Sequence, residues 1–515
     1  MARAQPGDTS FERSEHAVRR HWLFLLFLGC GLLLRVLAVI GERPAILYYG
    51  DSYYYLQDSQ TLRPDSLHPA IYAFLLWSLH TTGSLLSVSV LQHVLGLLAG
   101  LFVYVLCIRQ GVRPWLAAIA AAPVLLDMYE VVVEQMVLSD SLAVFLLAVS
   151  LLLASGRGRS TAALAGLSFA LAALTRTVLL AGLPALLVVA WRARSTEQRP
   201  LRIGALLLCL ALPLVGYASW MHAVTGQYGF ESASGLLYYG RVADLADCGT
   251  LHLTKEERPL CDPVSKASRR GPGFYMWSSQ SPLREHFRAA TGEPWVFPSA
   301  VTVGFAERVI LAQPGDYLAS VASQFFNYLS PFRRTYDKGD PPRIYMFPTS
   351  GRPNKNAVPA TVGFPVSGGK FELARAPLTI VRPVARLLRR VQAFLYTSGP
   401  LLAAAILVAL FGYLVGLRRD KGLRVIGARA IGLALGGVTL LLGTAAVGMF
   451  DWRLLLPVLV LIPPGGSMGA EVVLRWLRAR PARRFEAREP KSRRGAFGRN
   501  RGPAIRFSPL SRQGA

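Results

Sequence analysis

The sequence predicts an all-α polytopic membrane protein of about ten transmembrane helices, with a smaller mixed portion on the extracytoplasmic side. Three observations predict it. Hydrophobic residues make up 52% of the 515 and charged residues only 17%, a balance beyond the needs of any single water-soluble core. Apolar windows of spanning length recur along the chain, cut by charge and by Pro or Gly. The basic joins between them fall at alternate ends, which is the positive-inside pattern.

The elements follow in order. Residues 1–21 form a charged cytosolic leader in which Arg19 and Arg20 precede the apolar run from Trp22 to Ile40. Val36-Leu37-Ala38 passes as a cleavage site, but a charged leader ahead of a run near full spanning length predicts a retained first span. Spans are expected at 22–40, 85–108, 114–127, 136–154, 160–175, 177–192, 202–221, 396–417, 427–449 and 453–474. Helices one to seven thus occupy 22–221, with a first extracytoplasmic loop at 41–84, and helices eight to ten occupy 396–474. With odd-numbered spans leaving the cytosol, the joins Arg109/Arg113, Arg157/Arg159, Arg192/Arg194/Arg199/Arg202 and Arg418/Arg419/Lys421/Arg424 share one side with the tail.

Residues 222–395 form an extracytoplasmic loop too long for a bare connection, so a small folded portion is expected there. Within it, Gln313-Pro314-Gly315-Asp316 starts a helix running to Tyr328. Arg382, Arg386, Arg389 and Arg390 recur opposite Leu387, Leu388 and Val391, as in an interfacial helix that holds anionic head groups of membrane lipid or as in a solvated basic face. The chain has 5 cysteines, too few for a disulfide scaffold. Cys248 and Cys261 share the loop and either bridge, if it faces an oxidising compartment, or stay as two thiols.

The net charge of +26 does not point to nucleic acid. Residues 475–515 hold thirteen Lys or Arg against two acidic residues, so much of the excess lies in one tail that is expected to be disordered and cytosolic. Basic clusters beside a span set topology or touch anionic lipid. Usage heavy in Ala, Arg, Gly and Leu suggests a GC-rich bacterial genome and a multi-pass protein of the cell membrane.

The face opposite the basic joins collects the chemistry: Tyr48–Tyr72, Asp127/Glu130/Glu134, Thr175-Arg176-Thr177, the large loop and Asp451/Arg453. Ionised groups at a membrane boundary are costly unless paired or turned to a polar cavity, where they are functional candidates. Asp51 follows Gly50 just past the first span, so a turn can hold its carboxylate over the mouth of the bundle. Tyr53, Tyr54 and Tyr55 offer ring faces and hydroxyls that suit a sugar or an aromatic belt. Asp58 and Asp65 read as solvated loop carboxylates.

An acidic residue after the first span, an aromatic run, then His68-Pro69 leading into Ala-Ile-Tyr-Ala-Phe-Leu-Leu resembles the first extracytoplasmic loop of GT-C glycosyltransferases. Protein O-mannosyltransferases and the lipid A aminoarabinose transferase belong to that superfamily. Ala122-Pro123 followed by Glu134 and Ser139-Asp140-Ser141-Leu142 resembles its Pro and the acid that opens the fourth span. Ala173-Leu174-Thr175-Arg176-Thr177 resembles its threonine-arginine turn, and Asp451-Trp452-Arg453 through Pro457 its late arginine-to-proline span. The resemblance covers residues 20–220 well and 425–465 weakly; 222–395 match nothing in it.

The resemblance implies an integral membrane enzyme that moves a sugar from a polyprenyl-phosphate donor to an extracytoplasmic acceptor, which is a protein, a glycan or a lipid. Attack by an acceptor hydroxyl needs a base, and Asp51 is the candidate. Departure of the carrier phosphate needs fixed cations, and Arg63, Arg176, Arg453 and Arg35 are candidates, with Arg35 and Arg453 equally able to snorkel. Asp140 caps its helix, orients Arg176 or acts in catalysis, and His68 fixes the turn with Pro69 or moves protons. One base implies inversion, although Asp140 or Glu134 leaves a second carboxylate in play. Asp51, Asp140 and Glu134 would suit an oxygen-ligated divalent metal. No metal-ligand spacing appears, and the polyprenyl-monophosphate branches work without metal, so no cofactor is expected. Two other readings share the carrier: a flippase or transporter of lipid-linked sugars, and a lipid-linked glycan ligase or polymerase.

Overall fold

Continuous apolar segments with few internal breakers can satisfy their backbone only as helices, and the computed structural model is mostly helical. It describes residues 8–48, 51–191, 199–290, 295–332, 345–350 and 378–478, the first eleven of these as backbone alone. Residues 1–474 form one unit and 475–515 a second; all but the first four residues of the latter lie outside the described set, and with them the basic tail.

Every segment expected to span is helical. The first is α1 (Asp8–Gly41), whose apolar stretch begins at Arg19. After α2 (Asp51–Thr61) and α3 (Ile71–Ser78) come α4 (Leu85–Arg109), α5 (Pro114–Leu126), α6 (Met128–Glu134), α7 (Asp140–Ala154) and α8 (Arg159–Ala173). A 3₁₀ turn at Thr177–Gly182 leads into α9 (Leu183–Trp191), which precedes α10 (Arg199–Thr225). Near the C-terminus run α17 (Gly399–Leu417), α18 (Lys421–Val447), a 3₁₀ segment at Trp452–Val460 and α19 (Ile462–Arg478). Five of these helices are long and apolar enough to cross a membrane, or up to seven if α5 with α6 and the 3₁₀ segment with α19 each count as one bent span.

The main departure from expectation lies between α5 and α7. Asp127 caps α6 by accepting from Tyr129 N at 2.9 Å, and the chain turns by 47° there. Asp127, Glu130 and Glu134 are therefore buried in the bundle rather than spread along a connecting loop.

Residues 234–328 contain α11 (Ser234–Val242), α12 (Pro272–Trp277), α13 (Pro282–His286), α14 (Ser299–Ala312) and α15 (Pro314–Tyr328). Tyr239, Leu260, Tyr275, Leu283 and Phe305 build a core of their own, and Cys248 and Cys261 form a disulfide beside it. A two-residue pair of strands, β1 (Glu42–Arg43) with β2 (Thr379–Ile380), then ties the end of α1 to α16 (Arg382–Gln392). In α16 the expected apolar face is split. Leu388 is buried against α1, whereas Leu387 is 49% exposed beside Arg386 and Arg390.

Small residues set the closest helix approach. An added Cβ on Gly469 of α19 would lie 2.4 Å from Val408 O of α17, and one on Gly465 would lie 2.7 Å from Ala430 O of α18. Backbones meet there without side chains between them, as in small-residue membrane interfaces. Gly469→Val should destabilise the protein by about 1–3 kcal/mol or more, since the neighbour is backbone and cannot move aside; thermal unfolding in detergent measures this.

Candidate functional site

The loop after α1 is fixed before it reaches Asp51. Ile46 N donates to Gln135 O at 2.9 Å and Val137 N to Ile46 O at 3.0 Å, a backbone bridge between this loop and the α6–α7 connection. Ser52 Oγ donates to Val137 O at 2.8 Å and accepts from Tyr48 N at 2.7 Å. Asp51 is thus the first residue of a helix, not part of an irregular loop, and a carboxylate suits that position.

Its partners come from distant parts of the chain. Arg453 Nη1 donates to Asp51 Oδ2 at 2.6 Å, while Arg453 Nε donates to Asp451 Oδ2 at 2.8 Å. Tyr345 OH donates to Asp451 Oδ1 at 2.6 Å and shares a 2.9 Å hydrogen bond with Tyr48 OH, whose ring lies 4.8 Å from the Arg453 guanidinium carbon. On the other side, His68 Nε2 is 3.9 Å from Asp51 Oδ1, and His68 Nδ1 is 3.0 Å from Asp65 Oδ2. Asp65 also accepts from Ser66 N, so it orients His68 and is not a free loop carboxylate.

Arg176 and Asp140 form the next pair, at 2.8 Å, with Asp140 opening α7 and Arg176 following α8. Side-chain exposures of 21% for Asp51, 15% for His68, 14% for Arg176 and 13% for Arg453 leave these groups reachable, whereas Asp140 is sealed. The Asp140 carboxylate reaches the site through its hydrogen bond from Arg176. The turns carrying Arg109–Arg113 and Arg157–Arg159 lie at the far ends of α4, α5, α7 and α8 from Asp140 and Arg176.

The electrostatics follow from this geometry. Burial would raise the Asp51 carboxyl, but Arg453, His68 and Arg176 offset it and hold the group below its ordinary 3.8. Burial would lower His68, yet its hydrogen bond to Asp65 and the charges of Asp51, Asp65 and Glu231 raise it above its ordinary 6.5. Glu231, raised by burial, accepts from Thr177 Oγ1 at 2.6 Å and interacts with His68 and Arg176. Sequence reasoning missed Glu231 because it stands in a region without a recognisable pattern; its loop docks through Ser232 N and Ala233 N onto Ser66 O.

Other candidates fall elsewhere. Arg35 neither snorkels nor faces the site: it is 1% exposed, pairs with Glu134 Oε1 at 2.6 Å and donates to Leu125 O at 2.7 Å. Glu134 also meets His93 Nδ1 at 2.7 Å, so this pair is spent on holding α1, α4 and α6 together. Glu134 accordingly leaves the set that was considered with Asp51 and Asp140 for an oxygen-ligated metal. Among the described residues, no group of three or more His, Cys, Asp or Glu is placed to hold one. Arg63 is exposed and Tyr53 part-buried, and neither makes a hydrogen bond or ion pair among the described residues. Tyr55 OH bonds Ser139 Oγ at 2.8 Å with its ring 4.6 Å from His68, and Tyr54 OH accepts from Trp295 Nε1.

Comparison with protein-family models and with curated protein sequences finds no match, so the chemistry rests on the geometry alone.

Two predictions follow the charges. Arg35→Met strands a buried carboxylate and should cost about 3–5 kcal/mol, whereas Arg35→Met with Glu134→Leu should recover most of it; chemical denaturation distinguishes them. The Asp51 contribution to stability is present above its unfolded pKa and is lost as pH falls through the depressed folded value. That of His68 is present below 6.5 and lost as pH rises through its raised folded value. Melting temperature against pH should therefore lose its acid-side slope in Asp51→Asn and its slope above pH 6.5 in His68→Gln.

Proposed function

We propose that the chain is a GT-C-type integral membrane glycosyltransferase that moves a sugar from a polyprenyl-phosphate carrier to an extracytoplasmic acceptor. The observation that carries this reading is the Asp51–Arg453 pair at 2.6 Å, with His68 on the other carboxylate oxygen and the Arg176–Asp140 pair electrostatically coupled to it. The expectation of ten crossings is compatible with the helical framework, in which Asp140 and Arg176 lie at the ends of α7 and α8 opposite the basic turn at Arg157–Arg159. That sidedness makes the site extracytoplasmic on the positive-inside rule.

A carboxylate held down by an arginine is a poor base until the arginine finds a stronger anion. The donor phosphate supplies it. Phosphate draws Arg453 and Arg176 onto its oxygens, and Asp51, less neutralised, gains proton affinity as the acceptor arrives. The acceptor oxygen attacks the anomeric carbon, Asp51 takes its proton, and the bond from that carbon to the phosphate oxygen breaks with the electron pair leaving on the carrier phosphate. The fixed cations stabilise that charge in a site poor in water. One base acting on the attacking hydroxyl gives inversion. Asp140 positions Arg176, and Asp65 positions His68, whose imidazolium adds to the cationic field.

The test is sugar transfer by purified protein in vesicles, using a panel of radiolabelled carrier-linked sugars. Asp51→Asn should lower transfer by roughly 10²–10⁴ while donor binding persists. Carrier movement across liposomes that survives Asp51→Asn, with no transfer by the unaltered protein, would favour the flippase reading.

A further inference from the structure

We propose that Arg284, Trp295, Trp277 and Tyr54 form a binding subsite for an anionic saccharide, one bearing a carboxylate or a phosphate on the sugar. Its role as the acceptor subsite rests on the glycosyl-transfer reading above; the binding itself does not.

The cluster lies where the folded portion after α10 meets α2. Trp295 Nε1 donates to Tyr54 OH, which fixes the indole plane. The Arg284 guanidinium carbon sits 4.3 Å from the Trp295 ring centre and 5.8 Å from that of Phe297, a stacked arrangement that holds the cation by the ring faces. Leu283 is fully buried, so the short helix carrying Arg284 is anchored.

Two features are unexplained by structure alone. Arg284 Nε and Nη2 are buried and have no hydrogen-bond partner among the described residues, although buried guanidinium N–H groups nearly always find an acceptor. The guanidinium charge is thus left uncompensated, and because the side chain as a whole is only part-buried, an oxyanion can meet it at its exposed outer edge. Trp277 meets Trp295 edge-on at 5.4 Å and is 41% exposed, which costs hydration in a residue of this size unless something covers it. Sugar rings present C–H faces that stack on such a surface while their hydroxyls stay in water. An aromatic shelf with a cation at its edge therefore selects a ring that carries negative charge.

Tyr54 stands three residues after Asp51 on α2, one helical turn away, and its ring is 6.0 Å from His68. A saccharide held on the shelf is thus presented beside the carboxylate. Arg453 is engaged by Asp51 and Arg176 by Asp140, which leaves Arg284 for a different anion from the carrier phosphate.

The experiment uses the full chain in lipid nanodiscs and follows tryptophan fluorescence during titration. The probes are a glucuronate-terminated disaccharide, its uncharged methyl ester, and a disaccharide ending in glucose 6-phosphate. Either charged probe, or both, should bind roughly tenfold or more tightly than the ester; which one does so identifies the anion. Arg284→Gln should abolish the preference, Arg284→Lys should keep part of it, and Trp277→Ala, at an exposed ring, should weaken all three probes without loss of folding. Equal binding of the ester, absence of saturable binding by every probe, or a preference that survives Arg284→Gln would overturn the proposal. Since no transfer is read, loss of this subsite and loss of the catalytic reading are separable results.

Discussion

The ion pair between Asp51 and Arg453 is the constraint on which the site depends. It joins the first helix after α1 to the segment leading into α19, and a hydrogen-bonded chain through Asp451, Tyr345 and Tyr48 returns to the guanidinium at the face of the Tyr48 ring. Charges at a membrane boundary that are held this tightly are neither free to snorkel nor fully buried. They remain exchangeable for another anion, and on the proposed reading that exchange is what turns Asp51 from a counter-ion into a base.

A second cluster shows the contrast. Arg35, Glu134 and His93 also form short polar contacts, but each is nearly inaccessible and Arg35 donates further to backbone carbonyls of α5. Such groups leave nothing for a ligand to displace. Partial exposure together with incomplete neutralisation, more than the presence of charge, separates the residues around Asp51 from those around Arg35. The inward turn at Asp127 is what draws Glu134 into the second set, since it carries α6 back between α1 and α4.

Much of the helical framework was legible because long apolar runs broken by charge admit few alternatives: α4, α10 and α17 begin and end within a few residues of the segments read from hydropathy, and α18 starts six residues earlier than read. The break at Asp127 was not, because a capping aspartate inside a buried turn looks in sequence like any acid between two spans. Asp51, His68, Arg176 and Arg453 could be singled out one by one from their place at span ends. Which of them meet could not, because Asp51 and Arg453 are joined only by tertiary packing. Glu231, Arg284 and Trp295 lie in a stretch of irregular chain and short helices, where periodicity carries no information and only contacts reveal a role.

The wide separation in sequence of the two halves of the central pair has a consequence for biogenesis. Asp51 emerges from the ribosome long before Arg453, so for most of synthesis that carboxylate is without this partner. Whatever the site does, it can begin only after the last helices have formed, and a chain truncated before them lacks the guanidinium that Asp51 pairs with.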